Sequence, residues 1–156
     1  MKTVVCALAL IPLLLAGCVS RPNAQAPALS AGAEASPDNA LNELISYYAR
    51  VYDVPESLIR RSIARESNYN PIAHRRSFWG LMQIRFDTAR GMGYRGPAQG
   101  LLDADTNLKY AVAYLSNAYV VAGGNLERAL ALYASGYYYE ARRKGLLDRL
   151  RTAQGD

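Results

Sequence analysis

From Leu41 onward, apolar residues return at three- and four-residue steps, and no stretch alternates apolar and polar positions for long. That periodicity confines the chain to helices, because a half-buried strand needs a two-residue repeat. Leu41, Leu44, Ile45, Tyr48 and Tyr52 form the first apolar stripe, and Ser36 or Asp38 can cap it. Asp53-Val54-Pro55 breaks the stripe, and Pro55 suits the first turn of a second helix. Leu58, Ile59, Ser62, Ile63 and Glu66 share one face of that helix, which Asn68-Tyr69-Asn70-Pro71 ends. A third helix is predicted over 80–89, closed by Gly91 and Gly93, with loop over 95–100. Asp103 or Asp105 can cap a long helix bearing Leu108, Ala111, Val112, Leu115 and Tyr119, and Gly123-Gly124 stops it. Asn125 opens a helix through about 134, and Gly136 separates it from a last one over 138–150. The reading is a mostly α domain of about five to six helices.

The first residues do not share this pattern. Met1-Lys2 is a short charged start, and residues 4–15 are an apolar run interrupted only by Pro12. The run is about a dozen residues, below the roughly 20 that span a bilayer, and fits the apolar stretch of a secretory signal. Leu15-Ala16-Gly17-Cys18 follows at once. It resembles the bacterial lipoprotein signal, in which a Leu, two small residues and a Cys mark cleavage and lipidation. An ordinary signal with a coincidental Cys is the alternative. The expected organisation is a signal peptide over 1–17, a lipidated Cys18 and flexible Ala/Pro/Ser/Gly-rich tether over 18–37, and one globular domain over 38–156. Cys6 would be discarded and Cys18 acylated, so the mature chain has no disulfide to staple it. Val19, rather than Asp, follows the Cys, which points to the outer membrane, facing the periplasm. Two Cys and one His make a zinc or iron–sulfur site improbable, and no metal or cofactor is implied.

Glu66 is the informative residue. It shares its helix's apolar face with Ser62 and Ile63. A carboxylate placed there is either paired or desolvated, and desolvation favours the protonated carboxyl that a general acid needs. The alternative is a helix-end Glu paired with Arg61 or Arg65, and position alone leaves both open.

The residues around it carry a resemblance. Glu66-Ser67-Asn68-Tyr69-Asn70-Pro71, Gly80-Leu81-Met82-Gln83-Ile84 and Asp87-Thr88-Ala89 are similar to segments of the soluble-lytic-transglycosylase domain family. Asn107-Leu108, Tyr114-Leu115, Gly123-Gly124-Asn125-Leu126 and 129–136 continue the likeness in the same order. The resemblance implies a lysozyme-like helical fold that cleaves the bond between N-acetylmuramic acid and N-acetylglucosamine in peptidoglycan. It implies Glu66 as the one catalytic residue, first acid to the glycosidic oxygen, then base to the sugar's own 6-hydroxyl. The product would be a 1,6-anhydromuramic end, so the second carboxylate of an ordinary glycosidase is not required. Ser67 would orient the Glu or the sugar, Gln83 would contact the sugar beside the cleaved bond, and Tyr133 would reach toward Glu66. Tyr69 and Trp79 are candidates for the groove wall, whereas Met82 reads as core. Asp87 is expected to cap a helix or pair with Arg85 or Arg90, and His74 is assigned no role.

The chain also departs from that pattern. The family usually carries Ser nine residues after the Glu and Gly-Ala before Gly-Leu-Met-Gln. Here Arg75 is followed by Arg76-Ser77-Phe78-Trp79-Gly80, one residue shorter. Arg85 stands where Met is usual, and Tyr133-Ala134-Ser135-Gly136 lacks the family's Asn. Over residues 60–95 there are eight Arg against two acidic residues, a balance that would attract the carboxylates of peptidoglycan stem peptides. Nucleic acid is the other usual partner of such a surface, and export argues against it. A non-catalytic peptidoglycan-binding or scaffold lipoprotein and a hydrolysing muramidase are the alternatives.

Overall fold

The computed structural model describes residues 37–153, all within one unit, Glu34–Asp156. The expected signal, Cys18 and the tether through residue 36 lie outside the described residues, and residue 37, expected as the end of the tether, opens the first helix. Six α-helices are described: α1 (Pro37–Tyr52), α2 (Glu56–Ser67), α3 (Phe86–Gly91), α4 (Ala104–Val121), α5 (Leu126–Ser135) and α6 (Tyr138–Arg143). Between α2 and α3 lie three two-residue strands, β1 (His74–Arg75), β2 (Phe78–Trp79) and β3 (Ile84–Arg85). The mostly helical class read from the periodicity is therefore the class observed.

Helix α4 is the centre of the domain. Leu108, Ala111, Val112, Ala113, Leu115 and Ala118 are wholly buried, and α1 and α5 pack on it. Its start is fixed twice. Asp103 accepts from the Thr106 N–H as an N-cap, and the Tyr48 hydroxyl donates to Asp105 Oδ1 at 2.7 Å, tying α1 to α4. Asn125 caps α5 in the same way, by accepting from the Arg128 N–H. Helix α2 follows Pro55 and ends at Asn68, whose φ of 50° is left-handed.

Two expectations need correction. The helix predicted over 80–89 begins only at Phe86, and residues 80–83 form a turn leading into β3. Gly80 (φ 69°) and Gln83 (φ 47°) are both left-handed, which a helix cannot absorb. The helix predicted over 138–150 stops at Arg143, because Gly145 (φ 65°) turns the chain before a 3-10 turn at Leu147–Arg149. The strands themselves were invisible to a periodicity argument, since two residues cannot establish a repeat. His74, expected in loop, lies in β1 and stacks on Trp79 with ring centroids 3.7 Å apart.

The strands form one antiparallel sheet in the order β1-β2-β3. Its register places Arg75 opposite Phe78 and Phe78 opposite Arg85, with His74, Trp79 and Ile84 in the neighbouring row. Asn107 of α4 holds the turn before β3. Its Nδ2 donates to the carbonyls of Trp79 and Leu101, each at 2.8 Å, and its Oδ1 accepts from the Met82 N–H at 3.0 Å. Gly80 must lack a side chain here, because a Cβ would run into Asn107 Nδ2 and the Leu101 carbonyl.

Asn107→Ala would leave three backbone groups without their partner. Each unmet buried group costs about 1–3 kcal/mol, so we expect urea unfolding to show a loss of roughly 3–5 kcal/mol. A loss below about 1 kcal/mol would contradict the clamp.

Candidate active site

Glu66 lies in the last turn of α2, where the helix meets a cleft of about 380 Å³. Its neighbours there come from three directions: Phe78 and Arg85 from the sheet, Gln83 from the turn, and Tyr114 and Tyr133 from α4 and α5. A second hollow of about 330 Å³ is lined by Glu66, Arg75, Arg76, Phe78 and Gln83. Glu66, Phe78 and Gln83 border both, so the carboxylate stands at their junction. Each volume suits a small ligand or part of a polymer.

The carboxylate is both paired and in a cleft. Its side chain is 21% exposed. Oε1 accepts from Arg65 Nη2 at 2.6 Å and from Arg65 Nε at 3.0 Å. Arg65 Nη2 also donates to the Leu130 carbonyl at 3.4 Å, so the pair is braced against α5. Arg61, the other candidate partner, pairs with Glu127 instead. Oε2 has no hydrogen-bond partner among the described residues. Among the described residues, Glu66 is also the one carboxylate lining either hollow. Asp87 lies in the first turn of α3, and the described residues give it neither the capping bond nor the arginine pair expected from sequence.

Tyr133 is buried, and its ring lines the cleft. Its hydroxyl donates to the Met82 carbonyl at 2.9 Å rather than to Glu66. Burial, then the negative charge of Glu66, pushes its phenol well above the ordinary 10.0, so it remains a neutral donor. The Tyr114 ring meets it edge-on, with centroids 5.5 Å apart. Gln83 is buried with its amide committed: Nε2 donates to the carbonyls of Ala73 (3.0 Å) and Gly80 (2.9 Å), and Oε1 faces Arg75 Nε at 3.4 Å. Gln83 therefore braces the sheet while presenting one edge to the cleft.

The remaining expected site residues sit farther out. Ser67 donates to the Ile63 carbonyl at 3.3 Å and lines a third, more open hollow, away from Gln83 and Tyr133, that Glu66 and Arg75 also border. Tyr69 turns its hydroxyl to the Arg60 carbonyl at 3.3 Å and does not line the cleft. Trp79 packs against the core beside His74, and Met82 is wholly buried. Phe78 and Arg85, among the larger and more basic residues that replace part of the family's sugar-binding wall, line the cleft, and so does Tyr114, to which sequence reasoning assigned no place in it. The available signal for the first two was the departing segment 75–85, and for Tyr114 its position in the helix that matched the family.

The transglycosylase SLT domain family matches residues 43–148, from within α1 to the last 3-10 turn. The chain belongs to that family. Its helical SLT domain is of the lysozyme-like kind. A soluble lytic murein transglycosylase of Salmonella typhimurium is 34% identical over 105 residues. That match covers 62% of this chain but only 16% of the relative's length. No solved structure gives a significant match. The SLT match encloses every cleft residue named above.

Tyr133→Phe keeps the ring and removes one buried hydrogen bond, so stability at pH 7 should fall by about 1 kcal/mol. The pH dependence has a definite sign. The native phenol ionises well above 10.0, so its contribution is complete below that value and is lost as the pH rises beyond it. Urea titrations on either side of 10.0 should therefore show a shallower alkaline loss for Tyr133→Phe than for the parent. An unchanged alkaline slope would contradict the burial of this phenol.

Proposed function

We propose that this SLT-domain protein is a peptidoglycan lytic transglycosylase that uses Glu66 alone as acid and then base. The observation that carries the reading is the solitary carboxylate at the junction of the two hollows, with one oxygen held and the other unpartnered. A two-carboxylate glycosidase sets its pair about 5–10 Å apart across the bond. Among the described residues the cleft lining offers no second carboxylate to act as nucleophile, which fits attack by the substrate's own 6-hydroxyl.

The chemistry follows from that restriction. Protonated Oε2 of Glu66 gives its proton to the glycosidic oxygen as the bond to the muramic anomeric carbon breaks. N-acetylglucosamine leaves with that proton on its new hydroxyl. The muramic 6-hydroxyl then closes onto the anomeric carbon and returns its proton to Glu66. The bond formed is the 1,6-anhydro bridge, no water is consumed, and the enzyme ends as it began. Arg65 holds Oε1 throughout, which fixes the direction in which Oε2 points. Tyr133 acts indirectly, by anchoring the Met82 carbonyl and closing the floor of the cleft. Gln83 keeps the wall in place through Ala73 and Gly80.

The proposal extends to location. Residues 4–15 and Leu15-Ala16-Gly17-Cys18 support export and lipidation, with a tether leading to the domain that begins near residue 38. Among the described residues, no helix is long and apolar enough to cross a membrane. Attachment would therefore rest on acyl chains at Cys18, and more than one chain gives stable anchoring. Outer-membrane residence follows from Val19 after the Cys.

Purified sacculi digested with the full chain in mild detergent, with products weighed by mass spectrometry, test the activity. Anhydromuramic ends are expected, and Glu66→Gln should slow their release by about 100-fold or more. Reducing muramic ends would instead identify a hydrolysing muramidase, and binding without release would identify a non-catalytic glycan binder. For the anchor, radiolabelled palmitate fed to expressing bacteria should label the parent but not Cys18→Ser, which should leave the membrane fraction. Unchanged labelling of the variant would refute lipidation at Cys18.

A further inference from the structure

Three arginines bordering Glu66 have no acidic partner among the described residues. Arg75 and Arg76 line the hollow on one side of the carboxylate, and Arg85 lines the cleft on the other. The sheet register explains the spacing. Arg75, Phe78 and Arg85 lie directly opposite one another on adjacent strands, and residues so paired project from the same face. The guanidinium of Arg85 lies over the Phe78 ring, 5.9 Å from its centroid. Arg75 donates from Nη2 to the Glu66 backbone carbonyl at 2.8 Å and from Nε to Gln83 Oε1 at 3.4 Å. Both acceptors are neutral, so the charge is held in place without being neutralised.

Arg60, Arg61, Arg65 and Arg128 each meet a carboxylate, as does Lys144. What distinguishes Arg75, Arg76 and Arg85 from other arginines without one, such as Arg90 and Arg95, is that they line the hollows beside Glu66. Like charges crowded along one groove repel, and the repulsion grows where the groove walls exclude water. The three guanidiniums are exposed, so a bound anion can reach all of them and relieve that repulsion. The planar guanidinium is suited to a carboxylate, which it grips through two parallel N–H donors.

We infer that Arg75, Arg76 and Arg85 form a subsite for a carboxylate carried by the muramic residue at the cleaved bond. The inference rests on the proposed activity, which puts that sugar beside Glu66. Arg75 is bonded to the backbone of the acid itself, so the anion must hang close to the reacting carbon. Two sources share this chemistry. One is the lactyl carboxylate of a muramic residue that has lost its peptide. The other is a free carboxylate of an attached stem peptide. Phe78, 39% exposed between the two arginines, offers an apolar platform for a sugar face. The subsite would make the enzyme select strands by their state of peptide substitution.

The test measures binding, so that it stands apart from turnover. Fluorescent glycan strands are prepared with peptides attached, stripped by an amidase to free lactyl carboxylates, and stripped with those carboxylates blocked as neutral methylamides. Binding is measured to the full-length Glu66→Gln protein in mild detergent, alone and combined with Arg85→Gln or Arg75→Gln. We expect blocking to weaken binding about tenfold, the effect of one lost charge-assisted contact of about 1.4 kcal/mol. Each arginine substitution should remove most of that difference and leave the blocked strands unaffected. Arg85→Gln breaks no hydrogen bond of the fold, so its result does not depend on tolerance of the Arg75 substitution. Stripped strands binding best identifies the lactyl carboxylate, and peptide-bearing strands binding best identifies the stem peptide. Equal binding of all three kinds of strand, or an arginine effect equal on all strands, overturns the subsite. Wild-type cleavage of the same strands is scored separately: absent turnover with charge-dependent binding counts against the proposed activity and not against the subsite.

Discussion

A single buried amide, Asn107, governs where the site can be. It joins α4 to the carbonyls of Trp79 and Leu101 and to the Met82 N–H. Two of those partners lie in strand and turn, residues 79–83, and the third, Leu101, in a short 3-10 helix, Ala98–Leu102. Without the amide, three peptide groups would lose their partner, and the left-handed turn at Gly80 and Gln83 would be held only by the Gln83 and Tyr133 side chains and its own backbone bonds. With it, Met82 enters the core and its carbonyl points at Tyr133, while Gln83 is turned toward the cleft. The site is therefore a consequence of how one helix is tied to one turn.

The same logic runs outward to the acid. Helix α2 presents Glu66 at its last turn, where Arg65 fixes one carboxylate oxygen and Leu130 fixes Arg65. Arg75 returns from β1 to bond the Glu66 carbonyl, so the sheet and the helix end are held together at the acid. Tyr133 and Tyr114 fill the far wall with neutral phenols, both raised by burial. A carboxylate in such a setting is oriented by hydrogen bonds and walled by aromatics, which is what a single acid/base residue requires.

Much of this was legible in the sequence. The helical periodicity located α1, α2, α4 and α5, and their caps were visible as Asp103 and Asn125. Glu66 stood out as a carboxylate on an apolar face, and the SLT motifs marked Gln83 and Tyr133 as residues of one site. What remained hidden was geometry that no local pattern encodes. The strands are too short to show a repeat. The left-handed turn depends on an amide that is distant in sequence. Gln83 and Tyr133 direct most of their hydrogen bonds to backbone carbonyls instead of leaving them for a ligand. The segment 75–79, noted only as a departure from the family, proved to be the β1–β2 hairpin that brings Arg75 and Phe78 to the acid.

The account depends most on the claim that the bond is broken without water. Digestion of sacculi in water enriched in oxygen-18 measures this directly, because hydrolysis must place the label at the new muramic end. The account predicts ends that lack the label and weigh one water less than reducing ends. Incorporation of one labelled oxygen per cleavage would contradict it.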